Sequence, residues 1–230
     1  MSDVLFVTWD GGGNLPPALG VAAEMARRSH RVRFLGHAQQ REKIETAGFA
    51  FDAFAHARPW TSAAPHPGLK GAIDMVGVFT DRGTGVDLLE VVRREPADLV
   101  VVDCLLFGAL EAAERDGLRR VALVHTVYSQ QREVWSTSLG GLLTRMRRMR
   151  LPDMWLRTDA VLVTALPEVD RCGDVPSQVR HTGPVWQEAR PEPASPDANV
   201  PLVLVSLSTM HQDGQEKALQ AIIDGLATLP

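Results

Sequence analysis

Two cysteines, Cys104 and Cys172, are too few for a disulfide framework in a chain of 230 residues and fit a reducing compartment. The seven histidines show no His-x-x-x-His spacing, and no Cys-x-x-Cys is present, so the sequence proposes no metal site. No apolar run approaches the ~20 residues of a membrane span, and the N-terminus lacks a basic-then-apolar signal pattern; the expectation is a cytoplasmic protein with no membrane span. A net charge of −4 removes the broad electrostatic case for nucleic acid or an anionic membrane. One basic run, Arg145, Arg147, Arg148 and Arg150, reads as a solvated face near a helix C-terminus. Two nucleotide motifs are also missing. Counting on from Gly11 and Gly13, the third position of a dinucleotide fingerprint is Pro16, and no Gly-Lys-Ser/Thr phosphate loop occurs.

What the chain does have is an apolar first strand, Val4 to Trp9, running into Asp10-Gly11-Gly12-Gly13-Asn14 and a helix that Pro17 can open. Proline suits a first helical turn because its missing N–H is not needed there. A second strand, Arg31 to Leu35, completes a βαβ unit. Its first loop delivers glycine backbone and the Asn14 amide to the carboxyl edge of the sheet, where open α/β sheets bind ligands. Composition, 45% hydrophobic and 23% charged, permits one large core or two small ones.

Further along, helices are expected over 39–47, 69–79, 86–95, 108–116 and 139–150, and strands over 49–51, 98–103, 121–126, 160–164 and 179–182. Asp103 and His125 fall at strand ends. Residues 187–200, with Pro191, Pro193 and Pro196 and few apolar side chains, read as a linker between a domain of residues 1–186 and the start of another at 201–230. That last piece reads as a strand over 202–207 and a helix over 215–226, too little to bury its own apolar faces. The fold class is therefore α/β, a Rossmann-like parallel sheet flanked by helices with an incomplete second α/β domain.

Four segments resemble the GT-B glycosyltransferases of family 1, the bacterial type that decorates natural products with sugars. Gly13-Asn14-Leu15-Pro16-Pro17 with Arg28-Ser29-His30-Arg31-Val32 is similar to the family's Gly-His-x-x-Pro loop and Arg-Gly-His-x-Val strand. Asp98 to Asp103 resembles its Pro-Asp-x-Val-x-x-Asp strand, His181 to Val185 its Gly-Pro segment, and Leu202 to Thr209 its Val-x-Val-Ser-x-Gly-Thr strand. The resemblance implies an inverting transfer of a sugar from a thymidine or uridine diphosphate carrier to a hydroxyl of a hydrophobic acceptor. No metal or resident cofactor is implied.

The resemblance also implies roles. Trp60, Met75, Phe79, Phe107 and Trp135 would line the acceptor pocket; Gly12, Gly13, Ser208 and Thr209 would meet the donor diphosphate. The family's loop histidine, the general base, corresponds to Asn14, whose amide has no useful basicity. Asp103 matches the aspartate that orients that histidine, and His125 is the remaining candidate base. The family's His-x-Gly-Gly donor motif is absent. Two rival readings therefore stay open: a binding module without chemistry, and one half of a split transferase whose donor domain is a separate polypeptide. A nucleotide-binding oxidoreductase fits less well, because no acid follows the second strand at Leu35-Gly36-His37.

Overall fold

A computed structural model describes residues 1–170, 175–185, 203–211 and 213–227. Cys172 and the linker expected over 187–200 lie outside the described residues. Seven parallel strands form one sheet in the order β3-β2-β1-β4-β5-β6-β7. They are β1 (Asp3–Val7), β2 (Arg31–Gly36), β3 (Ala50–Ala53), β4 (Leu99–Asp103), β5 (Arg120–Val124), β6 (Ala160–Val163) and β7 (Val179–His181). The chain winds outward from β1 to β3, then returns to place β4 beside β1, with Val7 paired to Val102. The strand order reverses between β1 and β4, and open α/β sheets bind ligands at the carboxyl ends of strands at such a reversal.

Both faces of the sheet are buried, which is why the strands read as nearly continuous apolar runs. Val4, Phe6, Val32 and Phe34 point to one face and pack against α1 (Leu15–Arg27) and α2 (Arg41–Thr46). Leu5, Val7, Leu35, Val100, Val102 and Val124 point to the other. There they meet α3 (Gly68–Phe79), α4 (Gly83–Arg94), α5 (Phe107–Arg115), α6 (Tyr128–Thr137), α7 (Leu139–Met146) and α8 (Leu151–Leu156).

Helix α1 begins two residues earlier than Pro17 suggests, with Asn14 as its cap residue. The expected helix over 139–150 ends at Met146, and its arginines are exposed as anticipated. Helices α6 and α8 had no clear signal. The expected strand over 202–207 does not form over its described part: residues 203–207 are irregular, and Leu204 is 89% exposed. A strand needs a neighbour to take its backbone hydrogen bonds, and neither edge of the seven-stranded sheet supplies one. Helix α9 (Gln215–Leu226) forms as expected but buries none of its residues. Among the described residues no helix is long and apolar enough to cross a membrane.

Candidate functional site

The site is assembled from the ends of three adjacent strands. β1 runs out into Thr8, Trp9 and the glycine loop; β4 ends on Asp103 and Cys104; β5 ends one residue before His125. Asn14 is buried, 2% exposed, and its side chain does not cap α1. Instead its Nδ2 donates to Asp103 Oδ2 at 2.8 Å, to the Trp9 carbonyl at 3.0 Å and lies 3.1 Å from Thr8 Oγ1. Three acceptors around one atom fix which end of the amide is nitrogen. Its Oδ1 is buried without a partner.

Asp103 is held from its other side, where Oδ1 accepts the Leu105 N–H at 3.0 Å. The same Oδ2 that takes the Asn14 amide lies 3.4 Å from His125 Nδ1, at ion-pair distance. His125 is only partly buried, so its ring can meet a ligand. Cys104 Sγ stands 4.0 Å from the same ring nitrogen. Burial, followed by the Asp103 charge, pushes the Cys104 thiol well above its ordinary value.

The glycines of the loop answer to sterics. A Cβ on Gly11 would fall 2.6 Å from the Trp9 indole and 2.9 Å from Asn14 Oδ1. Gly12 has φ +74°, and a Cβ there would sit 3.0 Å from Thr209 Oγ1. Thr209 and the glycine loop, far apart in sequence, are therefore neighbours. The segment around them is tied down by the His211 N–H, which donates to the Ser62 carbonyl at 3.0 Å, and by Ser62, which bonds Asp10. Ser208 is turned to its own chain, its Oγ accepting the Met210 N–H at 3.1 Å, and the Gly13 N–H already donates to the Gly11 carbonyl.

The five aromatic and apolar candidates come together as packed core. Trp60, Phe79, Phe107 and Trp135 are each less than a tenth exposed, and Met75 packs against them half-buried. Phe79 sits edge-on to Trp135 and to Trp9, with centroids 5.7 and 4.8 Å apart. Trp9, Thr8, His37 and Gln40 were not anticipated as site residues. Their signal was position: Thr8 and Trp9 follow β1 and His37 follows β2, at the same carboxyl edge that singled out Asn14. Gln40 Nε2 donates to the Trp9 carbonyl at 2.9 Å, and His37 Nδ1 accepts the Asp10 N–H at 3.1 Å, so this second layer shapes the loop.

No family model matches the chain. The fold is that of GT-B glycosyltransferase structures, and the chain is similar to glycosyltransferases of natural-product type. One relative is 4'-demethylrebeccamycin synthase of Lentzea aerocolonigenes, 26% identical over 95% of this chain and 66% of that protein. The glycotransferase of kitacinnamycin shares the fold over the whole of this chain and 63% of its own, with a TM-score of 0.70 and 17% identity. The glycosyltransferase VinC, solved in complex with dTDP, matches 76% of this chain and 52% of its own at a TM-score of 0.53 and 15% identity. The chain thus spans just under two thirds of the length of the first two.

Proposed function

We propose that these residues form the acceptor-binding half of an inverting glycosyltransferase that moves a sugar from a thymidine or uridine diphosphate carrier to a hydroxyl of a hydrophobic natural product. Residues 1–186 hold the acceptor, 187–200 link, and 201–230 open the donor half; the cytoplasm is the setting, in keeping with a free buried thiol at Cys104. The observation that carries the reading is the sharing of Asp103 Oδ2 between the Asn14 amide and the His125 ring. In the family pattern one histidine in the glycine loop pairs with the strand-end aspartate. Here that aspartate faces an imidazole that follows β5 instead, so the base stands on the other side of β4 while its orienting carboxylate has stayed.

His125 takes the proton of the acceptor hydroxyl as oxygen attacks the anomeric carbon; Asp103 stabilises the imidazolium that results. The bond from that carbon to the diphosphate oxygen breaks, and the leaving diphosphate meets the glycine loop at Gly12 and Gly13 and the hydroxyls of Ser208 and Thr209. Asn14, a donor to Asp103, positions rather than titrates. Trp60, Met75, Phe79, Phe107 and Trp135 form the apolar wall behind the acceptor.

The test joins the 230 residues to the donor half of the kitacinnamycin glycotransferase and follows transfer from thymidine and uridine diphosphate sugars to hydroxylated polyaromatics such as alizarin. We expect transfer that falls roughly 10²- to 10⁴-fold in His125→Ala with acceptor binding retained. The 230 residues alone are expected to bind the acceptor without transfer. Full activity in both His125→Ala and Asp103→Asn would overturn the assignment. An asparagine at the family's base position favours the rival reading of a binding module without chemistry. Acceptor binding with no transfer by the completed chain is the result that reading requires.

A further inference from the structure

Cys104 takes no part in the proposed transfer, yet it is a fully buried thiol within reach of two other metal-ligating groups. We propose that Asp103, Cys104 and His125 together bind a zinc-class divalent cation, with a fourth position left for water or a ligand atom. One donor atom from each of the three lies within 4.8 Å of the others. A tetrahedral zinc ion has bonds of about 2.3 Å to sulfur and about 2.0 Å to nitrogen and oxygen, which sets its N···O edge at about 3.3 Å and its S···N edge at about 3.5 Å. The His125 Nδ1 to Asp103 Oδ2 distance of 3.4 Å already matches the first edge. The Cys104 Sγ to His125 Nδ1 distance of 4.0 Å needs to close by about half an ångström.

Three further facts point the same way. The ligands are oriented from behind, as metal ligands usually are: Asp103 by the Asn14 amide and the Leu105 N–H, and the Cys104 backbone by the Trp155 indole N–H, which donates to its carbonyl at 2.9 Å. The charges close, since one carboxylate and one thiolate neutralise a divalent cation and leave no unpaired charge in a buried place. The donor set, one sulfur, one imidazole and one carboxylate, selects zinc and its neighbours over magnesium or calcium. A second trio, His56, Asp87 and Glu90, has none of this: both Asp87 oxygens are spent on the His56 and Ala57 N–H groups and the His56 ring.

This inference does not rest on the transferase reading. It adds to it that a bound cation occupies the nitrogen facing Asp103 and locks His125 in place, so the cation and the transfer reaction compete for one site.

Cobalt(II) reports the site directly, because a thiolate ligand gives a near-ultraviolet charge-transfer band and four-coordinate geometry gives intense visible bands. The titration uses the full chain carrying Cys172→Ser, so that any thiolate signal comes from Cys104. We expect one Co²⁺ per chain, displaced by Zn²⁺, with the charge-transfer band lost in Cys104→Ser. His125→Ala and Asn14→Ala should weaken binding, the latter by roughly 10- to 100-fold as for other groups that orient a ligand, whereas His56→Ala should bind as before. Absence of the charge-transfer band overturns the proposal. So does a Co²⁺ affinity unchanged in His125→Ala, a partly exposed position whose loss the fold tolerates if Cys104→Ser does not fold. Either failure leaves the transfer assay standing, since that chemistry asks for no cation.

Discussion

Asn14 shows how much can turn on one side chain. In the family pattern an imidazole at this place would bond Asp103 and face the acceptor. Here its amide spends Nδ2 on Asp103, Trp9 and Thr8, while His125 already stands beside the same carboxylate oxygen. Asn14→His would therefore set two imidazoles competing for one carboxylate. In the completed chain we expect kcat unchanged or lower; a gain above about ten-fold, within the range general-base help supplies, would show that the loop and not β5 holds the base position.

His37 makes a pH prediction at the same scale. Its Nδ1 accepts the Asp10 N–H and its Nε2–H donates to the Arg58 carbonyl, so the neutral ring is the one the loop needs. Burial holds its pKa below the ordinary value of a histidine. The stability it lends is therefore complete above the unfolded value of about 6.5 and is lost as pH falls through the lower folded value. We expect the melting temperature to drop between neutral and mildly acidic pH, and to drop less in His37→Gln. Parallel profiles for the two proteins would contradict this.

Elements were legible in the sequence wherever burial imposed a period. The strands of the sheet and helices α1, α3, α4, α5 and α9 announced themselves because one face or both must be apolar. Helix α6 did not, because it buries only Tyr128 and Trp135, two turns apart, and every position between is polar or part-exposed. Helix α8 is six residues long, too short for a period. The strand expected over 202–207 failed for the opposite reason: its apolar pattern is genuine, but among the described residues no strand lies alongside 203–207. In the site, the glycine loop after β1 gave Asn14 from sequence, and strand-end positions gave Asp103 and His125. Their sharing of one oxygen, and the closeness of Cys104, depend on register between β4 and β5, where Asp103 pairs with Leu123.

Helices α4 and α5 cross glycine to glycine, a contact invisible in either helix alone. A Cβ on Gly108 would fall 1.9 Å from the Asp81 carbonyl oxygen, and one on Gly85 would fall 2.6 Å from the Gly108 carbonyl. Gly108→Ala must push backbone aside, so overpacking should cost about 1–3 kcal/mol in urea unfolding despite alanine's better helix propensity. A neutral or stabilising result would mean that the helices can separate freely.

At the scale of the molecule, a parallel sheet covered on both faces leaves only its carboxyl edge for function. The three strand ends that meet there carry every group the account assigns to proton transfer. The aromatic cluster of Trp9, Trp60, Phe79 and Trp135 stands behind it, and the glycine loop meets Thr209 beside it. The most direct measurement is a titration of the 230-residue chain with alizarin, followed by the ring resonances of its histidines. The His125 resonances should move saturably with added ligand, together with the indole signals of Trp9 and Trp60, while His30, at the amino end of β2, stays in place. If alizarin saturates the protein and His125 does not respond, the acceptor lies elsewhere and the assignment of this edge as the reacting site is wrong.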